Sequence, residues 1–156
     1  MPIDISQVFT GNITGGGFTG STYTTTDSSA TIPNGKVSTV TAEGGTNPAA
    51  VDVHSASRPF SVAVLRPPTV RTLPPINAAG VLPNVPINQY TISVNKGVTP
   101  LAGQASVNAN VSIRIRIPAG ADLADPANVR AMIDLASSLF EAEAENICLT
   151  ALSGEI

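Results

Sequence analysis

Asn110-Val111-Ser112-Ile113-Arg114-Ile115-Arg116-Ile117-Pro118 alternates without a break, with Val111, Ile113, Ile115 and Ile117 on one side and Asn110, Ser112, Arg114 and Arg116 on the other. A period of two marks a β-strand with one buried and one wet face, the habit of antiparallel sheets. Beyond Pro118 the period changes. Asp125-Pro126 reads as a helix start, with Asp as the cap and Pro at the first helical position. Val129, Met132, Ile133, Ala136, Leu139 and Phe140 then fall at helical spacing on one stripe. Glu141, Glu143 and Glu145 interrupt it, and Ile147, Cys148, Leu149 and Leu152 resume it in a second short helix that Gly154 stops.

Strands also precede Asn110. Gln89 to Asn95 alternates, Tyr90, Ile92 and Val94 against Gln89, Thr91, Ser93 and Asn95, and Phe60-Ser61-Val62-Ala63-Val64 does the same. Between them lie Pro67, Pro68, Pro74, Pro75, Pro83 and Pro86, a density that excludes a central strand. Lys36 to Thr41 reads as a further strand, and Ile3, Ile5 and Val8 before Gly15-Gly16-Gly17, with Thr19 to Thr26 after it, suit an N-terminal hairpin. The expected fold is α+β: an N-terminal β-hairpin, an antiparallel sheet and two C-terminal α-helices. It forms one domain over 1–156, with the hairpin and first sheet strand in 1–50, the main strands in 55–120 and the helices in 125–153. The apolar stripe must dock on the chain's own sheet or reach across onto a partner's, which would make an obligate dimer.

Charge is sparse, 12% of residues against about 25% in an average domain, and its net value of −3 hides a division. Residues 53–121 carry Arg58, Arg66, Arg71, Lys96, Arg114 and Arg116 with no acid, whereas residues 122–156 carry a net −6. A strand region so biased suits a polyanion, although a proline-rich region of low charge can lack acids for no functional reason. Arg114 and Arg116, two apart on a strand, point the same way beside Ser112, with Thr91, Ser93 and Asn95 expected on the neighbouring strand. Guanidinium groups take phosphate bidentately, and amides and hydroxyls can bond splayed bases. The same residues also serve simply to keep a sheet face soluble. No aromatic stacking platform accompanies them.

Other chemistry has little to work with. A single His and a single Cys, with neither a metal-ligand spacing nor a nucleophile motif, point to no enzyme, no metal and no cofactor. His54 lies near Asp52 and Ser55, but loop neighbours rarely hold triad geometry. Asp122 and Asp125 read as a turn and a helix cap, and Gly15-Gly16-Gly17 lacks the Lys of a phosphate loop. Cys148, inside a helical pattern, is expected to be a buried thiol. The N-terminus lacks a secretory pattern, and no run approaches the roughly 18 apolar residues of a membrane span, so a soluble protein of a reducing compartment is expected. Asn12-Ile13-Thr14 then matches a glycosylation acceptor by chance.

In order and spacing, the chain resembles the coat proteins of single-stranded RNA bacteriophages, the leviviruses. The residues that carry the resemblance are Arg58-Pro59-Phe60, Asn84 to Tyr90, Lys96 to Gln104, Ile117 to Asp122 running into Asp125 to Ala131, and Leu152 to Ile156. The match is good over residues 55–156 and weak over the first 50. It implies that the helices of one subunit lie over the partner's sheet, with the bare face toward RNA. Dimers then build an icosahedral, usually T=3, shell in the virion, assembled in the host cytoplasm. The loop Gly97 to Ala105 resembles the one that changes conformation around the symmetry axes. Several members also bind an RNA hairpin and repress translation. By position, the RNA face is Ser61, Gln89, Thr91, Ser93, Asn95, Ser112, Arg114 and Arg116, of which only two are basic and none aromatic. If that face lies elsewhere, Arg58, Arg66 and Arg71 are the alternative. The rival class is a β-rich phage decoration or surface adhesin module without RNA, which the Thr- and Gly-rich beginning would suit.

Overall fold

The computed structural model describes residues 3–29, 32–47 and 51–154. Six strands form one sheet in chain order: β1 (Val8–Thr10), β2 (Thr19–Asp27), β3 (Gly35–Thr46), β4 (Phe60–Leu65), β5 (Ile87–Val98) and β6 (Val107–Pro118). Every neighbouring pair is antiparallel. Three helices follow: α1 (Ala121–Ala124), α2 (Pro126–Ala142) and α3 (Ala144–Ser153). The α+β order expected from the change of period is therefore present, with longer strands at β3, β5 and β6 and an extra helical turn at α1. Cooperative pairing explains the lengthening: β5 and β6 bond along their whole length, from Ile87 opposite Pro118 to Val98 opposite Val107.

The N-terminal hairpin closes where glycine permits, with the Phe18 N–H donating to the Gly15 carbonyl at 3.1 Å. β1 is shorter than the apolar alternation suggested. Ile5 is buried outside any strand, and its carbonyl accepts from the buried Thr25 hydroxyl at 2.6 Å. Between Thr24 and Thr25 the register shifts, because Thr41 on β3 is an extra residue. Such a bulge bends the strand and sharpens its twist.

Register divides the strands into two faces. On one, Ser38, Val62, Val94 and Val111 make a row, and Lys36, Val64, Ile92 and Ile113 make the next. Tyr90 opposite Ile115 continues this apolar side. On the other, the rows are Thr39–Ser61–Asn95–Asn110, Val37–Ala63–Ser93–Ser112 and Gly35–Leu65–Thr91–Arg114.

Asp125 stands at the N-cap position of α2 and Pro126 in the first turn, as expected, but the Asp125 carboxylate caps no backbone N–H and instead accepts from Asn128 Nδ2 at 2.8 and 3.0 Å. Gly154, in the left-handed region at φ 77°, ends α3 as predicted. Neither long helix buries a single residue. Leu135 is 73% exposed and Leu139 55%, while on the sheet Val111 is 60% exposed. An open crevice of about 770 Å³ separates Ile133 from Val64, Ile92 and Ile115. Within one chain the helix stripe stays largely wet, and Val62, Val64, Ile92, Val94, Ile113, Ile115 and Ile117 on the apolar sheet face are only half-buried. Cys148 is half-buried rather than buried, for the same reason. Among the described residues, no helix is long and apolar enough to cross a membrane.

Candidate nucleic-acid interface

All eight residues assigned by position share one face. Ser61 pairs with Asn95 across β4 and β5. Gln89 stands opposite Arg116, Thr91 opposite Arg114, and Ser93 opposite Ser112. Gln89, Ser112, Arg114 and Arg116 are exposed, while Ser61, Thr91, Ser93 and Asn95 are half-buried between taller neighbours. The face has two zones. Toward the β5–β6 loop lies an amide network: Asn95 Oδ1 accepts from Asn110 Nδ2 at 2.7 Å and from Asn108 Nδ2 at 3.4 Å, and the Ser112 hydroxyl donates to Asn110. At the opposite end stand Arg114 and Arg116.

Electrostatically the faces are unequal. The acids within described strands, Asp27 and Glu43, both lie on the apolar side, where Asp27 opposes Ser38 and Glu43 opposes Tyr23 beside Phe60. The polar side of the described strands therefore has no carboxylate. Among the described residues the ion pair present is Arg58 with Asp52, so Arg66, Arg71, Arg114 and Arg116 have no acidic partner.

Not every cation of the basic block in 53–121 belongs to this face. Lys96 opposes Phe60 across β4 and β5 on the apolar side, its ammonium 4.2 Å from the Phe60 ring centre and donating to the Asp52 carbonyl. Burial pushes its pKa down, against Glu43 and Asp52 pulling it up. Lys36 is on that side too, opposite Val64. Arg58 is neutralised by Asp52. Four of the six cations in 53–121 remain free of acids, two on β6 and two in the loop after β4. Counting charges along a chain cannot register which side of a strand each one takes.

His54 takes part in the fold, its Nδ1 accepting from the Phe60 N–H at 3.0 Å. No group of three or more His, Cys, Asp or Glu residues suited to a metal occurs among the described residues.

Compared with known proteins, the chain superposes on the subunit in the virus-like particle of bacteriophage ESE020 with a TM-score of 0.93 and 38% identity, covering 99% of this chain and 100% of that one. The chain belongs to the coat proteins of the single-stranded RNA bacteriophages. Its role is that of a structural capsid protein, which sets aside the decoration or adhesin reading. The coat protein is also similar to subunits of two other virus-like particles, far more distantly. For Wenzhou levi-like virus 4, identity is 19% and the TM-score 0.44, over 72% of this chain and 63% of that one. For Beihai levi-like virus 32 they are 18% and 0.49, over 86% and 88%. No protein-family model and no curated protein matches the coat protein.

Proposed function

We propose that the coat protein acts as an obligate dimer whose copies close an icosahedral shell around single-stranded RNA. In that arrangement α2 and α3 of one copy cover the apolar sheet face of the other, and the polar face looks inward. One observation carries the reading: the chain has two large apolar surfaces that its own packing leaves incompletely covered, the helix stripe, which is exposed, and the β4–β6 face, which is half-buried with Val111 exposed. Burying each such side chain is worth about 1.5–3 kcal/mol. Exposed apolar surface of this extent marks an interaction site, and a two-fold pairing satisfies both surfaces at once. The expected buried area exceeds roughly 2,000 Å², the range of permanent interfaces.

Charge supports the orientation. Helices bearing Glu141, Glu143 and Glu145 suit the outside, and the acid-free polar face with Arg114 and Arg116 suits RNA. A T=3 shell would place the loop between β5 and β6 at both five-fold and quasi-six-fold positions, where its conformation differs between copies. Gly103, at φ 81°, gives that loop its freedom. The virion-bound protein assembles in the bacterial cytoplasm, and the polar face also serves translational repression where it meets an RNA hairpin.

The test is direct. Expressed protein, purified without added RNA, should appear as closed particles by electron microscopy with a 260/280 nm absorbance ratio typical of nucleoprotein. Folded monomers free of nucleic acid would overturn the proposal.

A further inference from the structure

After Leu65 the chain does not turn away from the sheet. Residues 66–71 run on beside the beginning of β5 and enclose, with Ile87, Gln89 and Thr91, a hollow of about 460 Å³. Small-ligand sites span about 300–1,000 Å³. Part of its wall is apolar and stiff, formed by Leu65, Pro67, Pro68 and Ile87. The remainder is polar or cationic: Arg66 and Arg71 from the loop, Gln89 and Thr91 from the strand.

Arg71 is held in place. The buried Asn88 side chain donates to the Arg71 carbonyl at 3.0 Å and accepts from the Arg71 N–H at 2.8 Å. A side-chain amide thereby copies the bond pair that a neighbouring strand would make. On the far side, Thr91 stands opposite Arg114 and Gln89 opposite Arg116. Arg66 and Arg71 thus line the hollow, and Arg114 and Arg116 stand on the next strand beyond Thr91 and Gln89; among the described residues none of the four has an acidic partner.

We propose that this crevice is a nucleotide subsite for single-stranded RNA. Arg66 and Arg71 on one rim, and Arg114 and Arg116 beyond the other, hold successive backbone phosphates. Between them one unstacked base lies against the proline and leucine wall, with the Gln89 amide bonding its edge. Guanidinium groups suit phosphate geometry, and amides read bases only when these are splayed from a stack. Cations on both sides call for a strand that supplies phosphate on either side of the base, which a free nucleotide does not. Unlike the strand face at large, the crevice can distinguish one base from another.

The proposal rests on the reading that the polar face meets RNA, and one experiment separates the two. Short labelled oligo(A), oligo(C) and oligo(U) are titrated over a salt series onto dimers released from the purified particles and freed of packaged RNA, with unchanged thermal unfolding as the control for each variant. Each phosphate neutralised on a single strand contributes a slope of about −0.7 in log K against log salt. The double variant Arg66→Gln/Arg71→Gln should flatten the slope by about 1.4. Gln89→Ala should leave the slope alone and narrow the affinity differences among the three oligomers. If only Arg114→Gln/Arg116→Gln lowers the slope, and neither the loop pair nor Gln89→Ala changes anything, the subsite is overturned while the RNA face stands. If the parent protein shows no salt-dependent binding, both readings fall.

Discussion

Thr91 and Arg114 stand directly opposite each other across β5 and β6, in one row with Leu65 and Gly35. That row fixes which way the arginines point. A slip of β6 by one residue would carry Arg114 to the side of Ile92 and turn Ile113 to the side of Thr91, so the isoleucines and the arginine specify the same register from opposite faces. Arg114 faces the Thr91 hydroxyl across the strands, with Ser112 and Arg116 beside it on β6, and among the described residues its charge meets no acid. Such a cation is available to a partner that brings negative charge.

Leu139 tests the dimer. It is 55% exposed in the single chain, where a polar replacement would change stability by less than about 0.5 kcal/mol. In the proposed dimer it is covered by the partner's sheet, and a buried unpaired carboxylate is far more costly. Leu139→Asp should therefore give aggregated or unfolded protein in sedimentation and circular dichroism. Recovery of a folded, soluble monomer would contradict an obligate dimer.

Gly97 is required for closeness. Its freedom to adopt positive φ is not used: it lies within β5, buried, and its N–H donates to the Pro59 carbonyl at 2.6 Å. A Cβ there would lie 2.8 Å from Arg58 Cα and from Pro59 Cδ. Backbone and ring atoms cannot swing aside, so Gly97→Ala should destabilise by about 1–3 kcal/mol, the usual cost of overpacking. Urea unfolding of the variant against the parent measures this. An unchanged midpoint would show that the Arg58–Pro59 segment is free to move.

β5 and β6 are legible because twelve-residue strands repeat their alternation often enough to declare a face. With them comes the common face of all eight candidate residues. α1 escapes such a reading because a four-residue turn offers no period. Lys96 falls in the basic block of the sequence although Phe60, Asp52 and Glu43 hold it on the other side; only pairing reveals that. Asn88 shows the same limit, since its clamp on Arg71 spans 17 residues and obeys no local pattern.

Glu43 makes stability depend on pH. Burial pushes its carboxyl above the ordinary carboxylate range; Lys96 pulls it down and Asp52 adds to the rise. Its Oε1 is buried with no hydrogen-bond partner among the described residues, and Glu43 adds to the rise in the pKa of Tyr23 that burial chiefly causes. With the folded pKa above the unfolded one, the folded state holds more protons between the two values, so stability falls as pH rises through that window. Glu43→Gln removes the buried charge. Its melting temperature should exceed the parent's at neutral pH, and the gap should close below about pH 4, where the unfolded carboxyl is protonated. A lower melting temperature at neutral pH would mean that attraction to Lys96 outweighs the cost of burial.

Arg114 and Arg116 carry the last expectation, and it concerns the particle. Alternation sets both opposite to Ile113, Ile115 and Ile117, and whatever covers those isoleucines leaves the arginines on the far side. With helices outside, that far side is the lumen. RNA in a shell is held chiefly through phosphate charge, so removing two cations per subunit should lower the mass of RNA packaged while leaving shell closure to the apolar interface. Arg114→Gln/Arg116→Gln particles should thus keep their diameter by electron microscopy and show a reduced 260/280 nm ratio. Raising salt during assembly should cost them less RNA than it costs the parent, the slope flattening by about 1.4 per subunit if each arginine meets one phosphate. Equal RNA content and an unchanged salt response would move the main contact off β6, leaving the loop pair Arg66 and Arg71 to hold the strand.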